Sequence, residues 1–200
     1  MPTQKHHLIA DPELTEALRT RLLIPCRPID TACTHCGATP RISHEDVCRG
    51  ANRRWIARHD QITRAFIKTL SCRSDLQVAG EPESPENDSL RADFSVLIGT
   101  SRYYYDVQVV AMNKDSARDD PFETLREAAN AKRRKYSALG AFFEPLIFSA
   151  GGLMEEQSAQ AYKGLQKLVG RAKAHWLDNQ IALTLTKARA ISASSIARRA

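Results

Sequence analysis

Two groups of residues in this chain have the types and spacing for chemistry. The first is Cys33-x2-Cys36-x7-His44-x3-Cys48, within CTHCGATPRISHEDVC. Two thiolates two residues apart form a tight knuckle, with Gly37 supplying the turn after it. A His and a Cys four apart share a helical face, so the set can close a tetrahedral zinc site. His35 is the substitute ligand if His44 points away, and the plain alternative is buried free cysteines beside an unrelated histidine. The second group lies in LRADFSVLIGTSRYYYDVQVVA, Leu90 to Ala111, two β-runs broken by Gly99-Thr100. A glycine opening a two-residue loop signals a type II′ hairpin. Ile98 then faces Ser101, and the same register sets Asp93 opposite Asp106. Opposed residues share a face at short Cβ separation, and two carboxylates there repel unless a cation lies between them. A divalent ion with oxygen ligands, Mg²⁺ or Mn²⁺, answers that need. The alternative is a pair of solvated strand aspartates.

The elements that must position these groups follow from the rest of the pattern. Phe94, Val96 and Ile98 with Tyr103, Tyr105, Val107 and Val109 fall on the face away from the aspartates and form a core-facing set. Asp11 to Ile24 predicts a packing helix, with Asp11 as N-cap, Pro12 at the first position and Leu14, Leu18 and Leu22 as its stripe. Arg49 to Leu70 predicts a helix with Trp55, Ile56, His59, Ile62, Phe66 and Leu70 on or near an apolar stripe. Its other faces carry Arg49, Arg53, Arg54 and Arg58, either a solvated basic surface or contacts to nucleic-acid phosphates. His59, on the stripe edge, reads as a satisfied interior histidine, and Cys26 and Cys72 as core residues.

Leu76 to Glu81 fits a short strand, with Glu81 at its end as a further metal ligand or the start of the acidic loop Pro82 to Ser89. Asp120 caps a helix over Pro121 to Leu139 that places Lys132 and Lys135 on one face. Phe142 to Ser149 is a buried strand whose Pro145 argues for an edge or a bulge. Gly151-Gly152 then turns the chain into a helix from Met154 to Trp176, Asp178 caps a last one, and the tail SASSIARRA frays.

Length and composition bound the rest. The 200 residues, 42% hydrophobic and 26% charged, suit a soluble globular domain with a small appendage. No apolar run nears the ~20 residues of a membrane span, and MPTQKHH is not a secretory leader. A net charge of +6 and a pI near 9.2 favour a polyanionic partner. Five cysteines, three of them clustered with a histidine, argue for metal ligation in a reducing compartment over a disulfide framework.

Taken in order, helix, strand, acid-bearing hairpin, Lys-bearing helix, strand and helix resemble the PD-(D/E)XK nuclease fold. Ala92-Asp93 stands where that family has Pro-Asp, and Asp106-Val107-Gln108 where it has (D/E)-X-K. The knuckle, Arg58-His59, Arg91-x-Asp93, Asp106-Val107 and Lys132-x-x-Lys135-Tyr136, in that order, are similar to one branch. That branch is the restriction-like endonuclease domain of site-specific non-LTR retrotransposon reverse transcriptase proteins. The resemblance spans about Cys33 to Ser149 and implies an α/β (α+β) fold, a mixed sheet flanked by helices. It implies an N-terminal helix and linker over 1–25, a zinc knuckle over 26–50 and the nuclease-like domain over 51–200.

For the site, the resemblance implies Mg²⁺ on Asp93 and Asp106 with Glu81 as third ligand, and Lys135 or Lys132 replacing the missing strand lysine. The activity implied is nicking of a chromosomal DNA target to prime reverse transcription, in the nucleus. The partners would be DNA, element RNA and the reverse transcriptase region of the same element. The alternative is an inactive zinc-knuckle remnant that only binds nucleic acid, through Arg49, Arg53, Arg54 and Arg58.

Overall fold

A computed structural model describes residues 8–24, 32–33, 35–39, 41–84 and 87–197, without the side chains of 51–53, 83–84, 87–89 and 197. Cys26 and the last three tail residues therefore lie outside the described residues, as does the side chain of Arg53.

A mixed sheet of four strands is built from β1 (Gln77–Gly80), β4 (Phe94–Ile98), β5 (Ser101–Val110) and β6 (Phe143–Ser149), in the order β1-β4-β5-β6. The first three run antiparallel and β6 lies parallel to β5. Between β1 and β4 the acidic segment is not a plain loop: β2 (Glu83–Ser84) and β3 (Asn87–Arg91) pair as a separate small ribbon. The hairpin register is the expected one from Ile98 paired to Ser101 as far as Phe94 paired to Tyr105, and Gly99 takes the positive φ of 62° that its first loop position demands; the ladder ends at Phe94, so Asp93 is not paired across from Asp106 as expected. Pro145 sits in β6, an edge strand, where its missing N–H faces no partner strand.

Helices cover both faces of this sheet. Ile62, Phe66 and Leu70, spaced by four on α2 (Asn52–Leu70), reach the face that carries Phe94, Val96, Tyr105 and Val107. There the rings of Phe66 and Phe94 stack at 5.4 Å and those of Phe94 and Tyr105 at 4.9 Å. The same core takes Leu165 and Val169 from α4 (Glu156–Val169) and Leu177, Ile181 and Leu185 from α5 (Arg171–Ala197). On the opposite face α3 (Pro121–Lys135) lays Leu125, Ala128 and Ala129 on Val110 and Ile147. The small alanines bring the α3 backbone close to the strands. Asp120 caps α3 by accepting from the Phe122 amide at 2.9 Å.

Several expectations are corrected. Gly170, at φ 76°, breaks the chain into α4 and α5, so Asp178 lies inside a helix and accepts from the Tyr162 hydroxyl instead of capping. The tail expected to fray continues α5 to Ala197, because Ser192, Ala193 and Ile196 are buried. Cys72 is exposed and not a core residue. Ile56 is exposed although it borders the α2 stripe. In α1 (Asp11–Arg21), Leu14, Leu18 and Leu22 face outward at 47%, 50% and 67% exposure, while Glu16 is the buried residue. The helix packs on α5 through the face its leucines do not occupy. No helix among the described residues is long and apolar enough to cross a membrane.

Candidate active site and metal centre

Cys33, Cys36, His44 and Cys48 converge, with all four ligating atoms within 4.8 Å of one another. Sγ of Cys33 lies 3.7 Å from that of Cys48, and Cys36 Sγ lies 3.4 Å from His44 Nε2. Ligands about 2.3 Å from a tetrahedral zinc are separated by roughly 3.7 Å, so these spacings fit such an ion. Backbone geometry explains the convergence: the Gly37 amide donates to Cys33 O at 2.8 Å, closing the knuckle, and a 3₁₀ turn at His44–Asp46 lets the Cys48 amide donate to His44 O. His35 is not part of the cluster; its Nε2 lies 3.2 Å from Ser195 O at the end of α5. Ala193, Ile196 and Trp55 pack on the cysteines.

Protonation also favours a cation here. Burial raises the Cys33 thiol, but hydrogen bonds from the His35 and Cys36 backbone and from His44 outweigh it and bring it down to about 6. Cys48 is pushed up to about 12, first by burial and then by its contacts with Cys33. A bound divalent metal would favour the deprotonated form of Cys48 as well. This group can hold a metal such as zinc.

The second site forms where the β4–β5 ladder opens. Beyond Phe94 paired to Tyr105 the chain steps out of the ladder: the Asp93 amide donates to Tyr105 O at 2.9 Å, and Asp93 Oδ2 accepts from the Val107 amide at 2.6 Å. Asp93 thus replaces a backbone acceptor with its side chain. The same Oδ2 lies 2.8 Å from His59 Nε2 on α2, and no described residue donates to Oδ1. Asp106 is 4% exposed, with Oδ2 at 2.5 Å from Lys132 Nζ and Oδ1 accepting from the Tyr136 hydroxyl at 3.0 Å. That hydroxyl is also 2.6 Å from Arg91 O, which ties α3 to the strand leading into Asp93.

Electrostatics follows from this geometry. Burial pushes the Asp106 carboxyl up and the Asp93 charge adds to it, while Lys132 and the Tyr136 hydroxyl pull it back. The Asp93 hydrogen bond dominates over burial at His59 and raises its imidazole to about 9, so the ring is cationic at neutral pH. Lys132 is the cation on Asp106, while His59 is shared between Asp93 and Asp60, whose Oδ1 lies 3.1 Å from its Nδ1.

The other expected residues fall as follows. Lys132, and not Lys135, reaches the aspartates; Lys135 Nζ sits 3.2 Å from the Tyr136 hydroxyl and 4.7 Å from its ring centroid. Glu81, exposed at positive φ, donates its amide to Asp93 O, and its carboxylate does not join the aspartates in a three-ligand cluster. Arg58 is buried against Asp46 at 4.0 Å, which removes it from the phosphate-contacting surface. Arg54 donates to Ser195 Oγ, while Arg49 remains exposed. His59 and Tyr136 are members that sequence reasoning assigned to packing. The adjacency of Tyr136 to the lysine pair was the available signal for one, and the Arg58-His59 pair, which counted towards the resemblance without a role, was the signal for the other. Neither a protein-family model nor a curated protein sequence matches the chain.

Proposed function

We propose that this chain is a metal-dependent DNA endonuclease domain of the restriction-like class, from a non-LTR retrotransposon protein. The observation that carries the reading is the meeting of Asp93, Asp106 and Lys132 at the open end of one hairpin, under a helix that follows it in sequence. A mixed sheet in which the acid-bearing hairpin precedes the lysine-bearing helix and a parallel strand agrees with it. So does the basic balance of the chain.

The aspartate donors are hard oxygens of the kind Mg²⁺ takes, and Oδ1 of Asp93 is uncommitted. Asp93 and Asp106 would hold the ion, which when bound supplies Lewis-acid polarisation of the scissile phosphate and a more acidic water. The chain's own residues do the rest. His59 and the Val107 amide fix Asp93 by one oxygen and leave the other facing its task. Tyr136 orients Asp106. Lys132, reaching in from α3 where Gln108 leaves the strand without a cation, places positive charge for the phosphate as it gains negative charge during attack. Lys135 and Arg49 contact the DNA backbone. The cut would prime reverse transcription by the polymerase region of the same element, with element RNA as a further partner and the nucleus as the place of action.

A second reading has its own support. Each aspartate already has a protein cation, so the pair is stable without a metal, as suits an inactive nucleic-acid-binding remnant. Nicking of supercoiled plasmid separates the two. The purified protein is expected to nick with Mg²⁺ or Mn²⁺ and the Asp93→Ala/Asp106→Ala variant to lose this fully. Absence of nicking by wild-type protein that still binds DNA leaves the remnant.

A further inference from the structure

A cleft of about 780 Å³ opens between the Cys/His loop and the turn that follows β5. Arg41 and Arg49 line it from the loop side and Lys114 from the turn, against a single acid, Asp115. None of these three cations forms an ion pair with a described residue, although buried Arg58 and half-buried Arg189 are both paired with Asp46. Asn113 clamps the two walls together: its Nδ2 donates to Ile42 O at 3.2 Å and to Ser43 O at 2.8 Å. The cleft is therefore preformed, and its lining carries three positive charges against one negative.

The turn is also the direct continuation of β5, which carries Asp106. From Asp106 to the strand's end at Val110 a strand advances about 13 Å, roughly four steps of a duplex strand at 3.4 Å each. A nucleic-acid strand lying over the aspartates can reach the cleft within a few nucleotides.

We infer that this cleft is a nucleic-acid backbone site, in which Arg41, Arg49 and Lys114 hold phosphates a few nucleotides from the one over Asp93 and Asp106. The placement relative to the aspartates rests on the nuclease reading; the binding itself does not. The Cys/His loop then acts as one jaw of the cleft, folded so that its two arginines oppose Lys114 across the gap. Neutralising these cations releases fewer counter-ions on binding, so both affinity and its salt dependence must fall.

The test uses the full chain and a labelled DNA duplex, titrated at several salt concentrations without added Mg²⁺ or Mn²⁺, so that cleavage plays no part. Arg41→Ala/Lys114→Ala is compared with a charge-matched control, Lys163→Ala/Lys173→Ala, two exposed residues of α4 and α5. The cleft pair is expected to weaken binding at least tenfold and to lower the slope of log affinity against log salt by about two, roughly one for each phosphate no longer neutralised. The control should move neither. An equal effect from the two pairs, an unchanged slope in the cleft pair, or no binding by the wild type overturns the inference. Wild-type binding through the cleft without any nicking in the plasmid assay would leave this site standing and remove the nuclease reading alone.

Discussion

The Cys/His centre and the aspartate centre solve opposite charge problems. The first draws every ligand from Cys33 to Cys48, and its one depressed thiol beside one raised thiol is short of positive charge. The second gathers His59 from α2, Asp93 before β4, Asp106 from β5 and Lys132 and Tyr136 from α3 and its end, and each of its two aspartates already meets a cation of the chain. The difference teaches where each centre's stability comes from. A metal such as zinc could complete the local one; tertiary packing completes the distant one.

Removal of metal is the largest expected break in this comparison. Structural zinc in small knuckles contributes on the order of 10 kcal/mol to local folding. Stripping it with a strong chelator should unfold the loop around Cys33–Cys48 and lower the Tm of the chain by many degrees, because Ala193 and Ile196 of α5 lose their cover. Zinc release read by a colorimetric chelator, beside thermal unfolding, checks this. A chain that yields no metal and melts unchanged would put the two centres on the same footing.

Next comes the lysine pair. Lys132→Ala leaves the buried Asp106 carboxylate without its cation and should cost roughly 2–4 kcal/mol in urea unfolding, since breaking one partner of a buried pair is the expensive change. Lys135→Ala, which removes an ammonium that meets the Tyr136 hydroxyl and ring but no carboxylate among the described residues, should cost less than about 1 kcal/mol. Equal losses would mean that Asp106 does not depend on α3 for its charge balance.

The smallest effect is in pH. The imidazole of His59 stands at about 9 in the fold against an ordinary value of 6.5. A raised value means that the pairing with Asp93 stabilises the fold fully below 6.5 and that this stabilisation fades as pH rises through 9. The Tm difference between wild type and His59→Gln should therefore be greatest in mild acid and vanish above that range. A difference that grows with pH would overturn the cationic assignment.

The comparison also separates what was legible beforehand. The Cys/His ligands and the hairpin register are short-range patterns: a knuckle spacing and a two-residue turn leave little freedom, and the structure carries both. The α1 leucines misled because amphipathic spacing names a face without naming what lies beneath it; α5 took the face bearing Glu16 instead. The acidic run beside Asp93 was hidden for a similar reason. Its residues have weak strand preference, yet β2 and β3 pair with each other.

The amino-acid sequence by itself therefore determined the mixed α/β character, the members of a Cys/His cluster that could hold a metal and the register of the hairpin from Phe94 to Tyr105. Those depend on periodicity, turn chemistry and spacing within a few residues. Only the tertiary structure decided that Lys132 and not Lys135 meets Asp106, that His59 holds Asp93, that Arg58 is buried and that Arg41 and Lys114 line one cleft. Each of those depends on how far one helix is turned about its axis or one loop is folded back, which packing against a distant partner sets and no local pattern encodes.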